Sequence, residues 1–417
     1  MTQTLGHVPK RIASIMWKTV SESCNLACDY CYYSTCQGRV AKLTTIDDDI
    51  LEKCIKEYME INRGLATFVW QGGEPLMAGL DFFQRVIHIQ KKFRSKYSQA
   101  TNAVQTNGTL INRNWARFFA KERFLVGVSI DGPEELNQRR VTRSGRASFD
   151  LTMRGIEYLR EQHVDFNILT VIHEGNVNQA EALMSFYQKQ GFPYIQLIPC
   201  MDFQAQQIDQ PGMFTITPEQ YGDFLCQAFD YWYNDGQPQQ SIRIFDNLLA
   251  VYLNQTAEHC IHLENCPTTI ILESNGDAYP CDFYMDKSFC LGNIKVNTLA
   301  ELIQHPHMNK FASLKANLPE QCHSCEFLKF CHGGCPRNRL DASKDQQTEY
   351  FCQSYQQLYR YADKRMKQLA MQMKRDKLLA LVASGYPLPA NTEPCLCGSS
   401  QSFEDCCQTL IGQVLTK

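Results

Sequence analysis

Apolar residues follow two alternating rhythms through the first half of the chain. Short runs that are apolar nearly throughout lie at 12–20, 67–71, 103–106, 125–130, 166–172 and 194–199. Between and after them come longer stretches with apolar positions every three or four residues, at 47–61, 80–94, 113–121, 149–162, 179–190 and 218–232. The first rhythm predicts strands buried on both faces and the second amphipathic helices; their alternation predicts an α/β fold with a parallel sheet covered on both sides. Six such units are too few to close an eight-stranded barrel. In folds of this class ligands gather at the C-terminal ends of the strands. The polar and glycine-rich segments lie there: Gln71-Gly72-Gly73-Glu74-Pro75, Gln105-Thr106-Asn107-Gly108 and Ser129-Ile130-Asp131-Gly132-Pro133.

After residue 236 the rhythm stops. Apolar runs at 268–272 and 278–279 flank Ser274-Asn275-Gly276-Asp277, a hairpin signal. A basic helix is predicted over 361–381, with Met366, Leu369 and Met373 on one packed stripe, and Gly385, Pro387 and Pro389 mark a linker. A chain of 417 residues suggests two or three domains. Its formal charge of −3 gives no basic field for nucleic acid. The stretch 1–10 lacks the apolar core of a secretory signal, and no apolar run is long enough to span a bilayer, so a cytoplasmic protein without a membrane partner is expected.

In a reducing compartment the twenty cysteines read as metal ligands rather than disulfides, because they come in tight groups. Cys24, Cys28 and Cys31 follow the first predicted strand. Three thiolates at this spacing can hold three corners of a cubic iron-sulfur cluster and leave one iron open to a small molecule; a zinc knuckle is the plainer alternative. The Gly-Gly-Glu-Pro turn would let backbone carbonyls approach an ammonium group, with Glu74 accepting as well. Cys260, Cys266 and Cys281 form a second group; Cys322, Cys325, Cys331, Cys335 and Cys352 a third; Cys395, Cys397, Cys406 and Cys407 a fourth. Cys36, Cys54, Cys200, Cys226 and Cys290 are left, and packing is expected of them.

Cys-x-x-x-Cys-x-x-Cys after a first strand, with Tyr30 before the third cysteine, resembles the signature of radical S-adenosylmethionine (SAM) enzymes. That resemblance implies a partial (β/α)6 barrel over 11–236. It further implies SAM contacts at Tyr30, Gly72, Gly73 and Glu74, carboxylate contacts at Ser129 and Arg140, and a nucleoside contact at Met201. Arg140 suits a carboxylate because a guanidinium can donate two parallel hydrogen bonds, although Arg139 beside it offers the same group. Over 237–361 the eight cysteines recur in the order of the SPASM extension. By that resemblance Cys260, Cys266, Cys281 and Cys335 hold one auxiliary [4Fe-4S] cluster and Cys322, Cys325, Cys331 and Cys352 another, making three clusters; two zinc sites are the alternative.

Pro280-Cys281-Asp282-Phe283-Tyr284, together with Gln71–Pro75 and Cys352-Gln353-Ser354-Tyr355, most closely resembles anaerobic sulfatase-maturating enzymes. These oxidise a Cys or Ser of a peptide or unfolded sulfatase to Cα-formylglycine. The resemblance implies Asp282 as proton acceptor, Gln71 and Tyr33 near the substrate, and an external electron donor such as flavodoxin or ferredoxin. After a helix and linker over 362–389, the motif at 390–410 resembles SEC-C, implying zinc on Cys395, Cys397, Cys406 and Cys407. Two rival readings stand beside this one. One is a maturase forming thioether crosslinks in a ribosomally made peptide, which often carries a leader-binding domain for which 1–11 leaves no room. The other is an adaptor in which every cysteine group binds zinc.

Overall fold

The computed structural model describes residues 11–32, 43–95, 98–200, 216–339, 348–397 and 401–415. Six strand–helix units come first: β1 Ser14–Lys18, α1 Asp48–Ile61, β2 Gly64–Gln71, α2 Leu80–Phe93, β3 Ser98–Thr106, α3 Arg113–Glu122, β4 Leu125–Ser129, α4 Phe149–Glu161, β5 Phe166–Ile172, α5 Ala180–Gln190, β6 Tyr194–Pro199 and α6 Pro218–Tyr233. Each expected element is present. The strands pair in parallel in sequence order, from β1↔β2 through β5↔β6. Two helix starts carry side-chain caps. Asn112 accepts from the backbone N–H groups of Asn114 and Trp115 ahead of α3, and Thr217 and Gln220 form a capping box ahead of α6. Trp17 of β1 stacks on Trp70 of β2 at 5.4 Å, and Phe82, Phe83, Trp115 and Phe119 extend this aromatic core under the helices.

One strand is much longer than its apolar run. β3 begins at Ser98 rather than 103, because its polar residues are satisfied sideways. The Ser98 hydroxyl donates to the Asn62 carbonyl, the Thr101 hydroxyl to the Thr67 hydroxyl, and buried Asn102 accepts from Trp70 Nε1 at 2.9 Å.

The sheet also continues past residue 236. β7 Ser241–Ile242 pairs in parallel with β6 and leads into α7 Arg243–Tyr252. The expected hairpin forms as β8 Thr269–Leu272 and β9 Asp277–Tyr279, followed by β10 Gly292–Asn293. β8 then lies parallel to β1, with Ser14 opposite Thr269 and Trp17 opposite Leu272. The ten described strands therefore form one sheet, ordered β10-β9-β8-β1-β2-β3-β4-β5-β6-β7. The chain after β9 carries Cys281 and then Asp282, which reaches Lys18 at the end of β1.

Four short helices follow: α8 Leu299–Gln304, α9 Pro306–Ala316, α10 Glu320–His323 and α11 Leu328–Cys331. α12 runs from Cys352 to Ala383, nine residues earlier than the basic pattern begins. Its expected stripe holds only in part. Met366 and Leu369 are buried, but Met373 is 44% exposed because the helix has left the body by then. Its last turns meet α13 Phe403–Cys406 and α14 Gln408–Leu415, and Leu378, Phe403 and Ile411 build a second small core around the tail cysteines. No described helix is long and apolar enough to cross a membrane.

Candidate active site

The loop after β1 is laid down by the loop after β2. The N–H of Gly73 donates to the Ser21 carbonyl at 2.7 Å, and that of Glu74 to the Ser23 carbonyl at 2.8 Å. A Cβ on Gly73 would stand 2.0 Å from the Ser23 oxygen. On Gly72, whose φ is +131°, a Cβ would stand 2.9 Å from the Ser21 oxygen. The glycine pair is therefore required by the close approach of the cysteine loop.

Glu74 needs a correction. Its carboxylate does not line the cavity toward an ammonium group. It is fully buried and accepts from the Thr106 hydroxyl at 2.7 Å, the Asn107 N–H at 2.8 Å and the Leu76 N–H at 3.1 Å. Burial pushes its pKa up to about 7 against these three donors. Asn107 in turn donates to Cys24 Sγ at 3.8 Å and to Asn25. Glu74 thus braces the cysteine loop through β3.

Cys24, Cys28 and Cys31 all line one cavity of about 990 Å³, together with Tyr30, Gln71, Gly72, Gly73, Ser129 and Arg140. The C-terminal ends of β1 to β6, with the loops that follow them, meet there together with Phe283 and Arg337. Burial pushes the Cys24 thiol up to about 11 and that of Cys28 to about 12, and each is raised further by Cys31. Cys24 and Cys28, whose ionisation is hindered in this way, suit a bound metal centre, which supplies the missing positive charge.

The structure separates the two adjacent arginines. Arg139 is engaged outside the cavity by Asp29, at 2.9 Å, and by Glu174. Arg140 is buried, lines the cavity and pairs with Asp131, Nε to Oδ2 at 2.9 Å and Nη2 to Oδ1 at 3.0 Å. Asp131 is a hub that its place in Ser129-Ile130-Asp131-Gly132-Pro133 does not by itself single out. It also accepts from the Tyr30 hydroxyl and from the Val171 N–H at 3.0 Å, so it fixes Tyr30 and Arg140 relative to β5. The Tyr30 ring stacks on His173 at 5.5 Å, with the Arg140 guanidinium 5.6 Å from its centroid. Cys200, expected only to pack, is buried against Tyr30 and lines the same cavity, while Cys54 and Cys226 are buried in the body. Met201, Tyr33 and Cys36 lie outside the described residues.

Asp282 stands beside this cavity, next to Phe283, which lines it. It forms an ion pair with Lys18 at the end of β1 and accepts from the Tyr32 hydroxyl. Lys18 is 1% exposed and donates to Gln71 Oε1 at 2.8 Å; Gln71 Nε2 donates to Gln105 Oε1 at 3.0 Å. Phe283 and Arg337 close the wall, with the guanidinium 3.9 Å from the Phe283 centroid. Lys18, Tyr32 and Arg337 were not singled out from sequence. A lysine ending an apolar strand gives no signal until the acid that faces it is placed.

The other eight cysteines fall into two neighbourhoods. Burial pushes the Cys335 thiol up to about 12, and Cys260 and Cys266 raise it further; Cys281 is raised by burial and then by Cys335 and Cys260. Cys331 is pushed up to about 11 by burial, with Cys352, Cys322 and Cys325 adding to it. These last four also line a cavity of about 400 Å³ with Glu349 and Tyr359. Among the described residues, Cys395, Cys397, Cys406 and Cys407 are the group of metal-ligating atoms that lie within 4.8 Å of one another. Cys406 Sγ is 3.4 Å from Cys397 Sγ and 3.7 Å from Cys407 Sγ. A tetrahedral ion with sulfur ligands at about 2.3 Å sets its sulfurs about 3.8 Å apart, so these four suit a single ion.

Comparison with known proteins agrees with this geometry. The radical SAM superfamily model matches residues 19–187, the SPASM iron-sulfur cluster-binding domain 264–326 and the SEC-C motif 392–409. The chain is thus a radical SAM enzyme with an auxiliary iron-sulfur extension and a cysteine-bearing tail. It is 34% identical to the cysteine-type anaerobic sulfatase-maturating enzyme of Clostridium perfringens, over 87% of this chain and 99% of that one. It is 33% identical to the serine-type enzyme of Bacteroides thetaiotaomicron, over 89% and 95%. Among solved structures, native anSMEcpe with bound AdoMet and Cp18Cys peptide superposes with a TM-score of 0.81 at 33% identity, covering 86% of this chain and 99% of that one. The chain belongs to the family of anaerobic sulfatase-maturating enzymes.

Proposed function

We propose that this enzyme oxidises a Cys or Ser side chain of a peptide or unfolded sulfatase to Cα-formylglycine. The observation that carries this reading is the link from Asp282 through Lys18 to Gln71. It connects a carboxylate next to Cys281 with the wall of the cavity that holds Cys24, Cys28 and Cys31. Relatives in this family are named for maturing sulfatases at cysteine or at serine, and one is described with SAM and a peptide bound.

In this reading Cys24, Cys28 and Cys31 hold the cluster that binds SAM. Cys260, Cys266, Cys281 and Cys335 hold one auxiliary cluster, and Cys322, Cys325, Cys331 and Cys352 the other. When bound, these groups supply a hydrogen-abstracting 5′-deoxyadenosyl radical and an electron acceptor. The chain does the rest. Arg140 and Ser129 take the SAM carboxylate, the carbonyls of the Gly72-Gly73 turn face its ammonium, Tyr30 walls the site, and Met201 is assigned the nucleoside contact. Gln71 and Tyr33 orient the target side chain. Asp282 accepts the proton of its thiol or hydroxyl as the carbon loses one hydrogen atom and one electron. A serine gives the aldehyde directly; a cysteine gives a thioaldehyde, which water converts to the aldehyde with release of hydrogen sulfide. A small reduced carrier such as flavodoxin or ferredoxin would supply the electron needed at the cluster that Cys24, Cys28 and Cys31 hold. Iron-sulfur clusters of this kind need a reducing compartment, so the enzyme is assigned to the cytoplasm. The tail cysteines take zinc.

The test is anaerobic turnover with SAM, a reductant and a Cys-x-Pro-x-Arg peptide, in Cys and Ser versions. An aldehyde on either is expected. Absence of an aldehyde on both overturns the reading, and a crosslinked product lighter by two hydrogens would replace it with thioether formation.

A further inference from the structure

A lysine near the C-terminal end of α9 is buried among the auxiliary cysteines. Lys315 is 1% exposed, and its Nζ donates to the Gly334 carbonyl at 2.7 Å and to the Ile261 carbonyl at 3.4 Å. Ile261 directly follows Cys260. Gly334 directly precedes Cys335 and lies three residues after Cys331. One ammonium group therefore touches the first loop of one cysteine set and the segment that passes from the second set to the first.

Two carbonyls alone do not explain a buried charge. A neutral amide could donate to both, whereas an ammonium taken out of water costs several kcal/mol, on the order of the penalty for a buried ion, unless negative charge compensates it. Burial pulls the Lys315 pKa down, and the cysteines, thiolates in the cluster reading, supply the opposing negative charge. Cys266, Cys335, Cys260 and, more weakly, Cys331 all act on Lys315. The carboxylate of Glu349 is buried nearby and also feels Lys315; its Oε1 accepts from Asn338 at 2.7 Å, so it adds to the negative charge around the ammonium. Arg339 holds the same end of α9, donating to the carbonyls of Leu314 and Asn317, so the position of the ammonium is fixed from outside.

We propose that Lys315 is a positioning residue that sets the reduction potentials of both auxiliary clusters, and more strongly that of the cluster on Cys260, Cys266, Cys281 and Cys335. This rests on the reading that the eight cysteines hold two iron-sulfur clusters. Reduction adds one negative charge to a cluster, and a fixed cation beside it favours that charge. The effect would help the auxiliary cluster near Asp282 accept an electron from the substrate.

The experiment is iron analysis together with an EPR-monitored redox titration of the full-length enzyme, wild type against Lys315→Met and Lys315→Arg. In Lys315→Met, iron per chain is expected to hold while both auxiliary potentials become more negative. The cluster on Cys24, Cys28 and Cys31 should keep its potential, and Lys315→Arg should restore wild-type values. If Lys315→Met loses iron, Lys315→Gln, which keeps a donor for the carbonyls, takes its place with the same expected shift. An iron-replete neutral variant with unshifted auxiliary potentials overturns the proposal and leaves Lys315 a structural staple. So does loss of iron from both neutral variants and from Lys315→Arg alike; loss from the neutral pair with retention in Lys315→Arg supports it. A wild-type protein that contains no iron overturns the cluster reading itself, which separates the two failures.

Discussion

Asp282 and Lys18 show how much a single contact constrains function. Asp282 drew notice in the sequence because it follows a cysteine, yet its work depends on the lysine that faces it from β1. Replacing Asp282 with Asn should leave cleavage of SAM to 5′-deoxyadenosine largely intact while product falls by about 10²-fold or more, the usual contribution of a positioned acid–base group. If cleavage is abolished instead, Asp282 belongs to the SAM site. Lys18→Met should give the same uncoupling, and Lys18→Arg should partly rescue it by restoring the pair with Asp282. Glu74 offers a pH test. Its folded pKa, about 7, lies above the 4.5 of an ordinary glutamate, so the folded state binds the extra proton. The stability it contributes is complete below pH 4.5 and is lost as pH rises to 7, by at most about 3 kcal/mol. Urea unfolding at pH 5 and pH 8 should show a steeper fall for the wild type than for Glu74→Gln.

Among the elements, the loops after β1, β2 and β3 act as one body. Gly73 lies against the Ser23 backbone, Glu74 ties β2 to β3, and Asn107 returns from β3 to Cys24. A methyl group at residue 73 would meet backbone that cannot turn aside. Gly73→Ala should therefore displace the cysteine loop at a cost of about 3 kcal/mol and lower the iron of the first cluster. Iron analysis and the SAM-dependent EPR signal would report it, and full retention of both would show that the loops are less tightly coupled. These strands and helices were legible in the sequence because each is uniformly apolar or amphipathic. The polar start of β3 was not, since Ser98, Thr101 and Asn102 look like a loop until Asn62, Thr67 and Trp70 are placed beside them.

At the scale of the whole molecule, the tail has its own small core around Leu378, Phe403 and Ile411, built on the end of α12. Cys397→Ser should release zinc and unfold that core, read by zinc content and by hydrogen exchange over 378–411, with SAM cleavage unchanged; a loss of cleavage would tie the tail to catalysis. The chemistry itself was written locally. Three cysteines within eight residues, a Gly-Gly-Glu-Pro turn and ordered cysteine pairs carry their meaning at short range, because ligand spacing and turn geometry are properties of a few consecutive residues. What joins them is not local. The turn after β9 sets Asp282 against Lys18, Asp131 selects Arg140 over Arg139, and the end of α9 lodges Lys315 among two sets of thiols. Each of these contacts links residues whose partners are chosen by strand order and packing, and a linear pattern holds no record of which buried charge will face which.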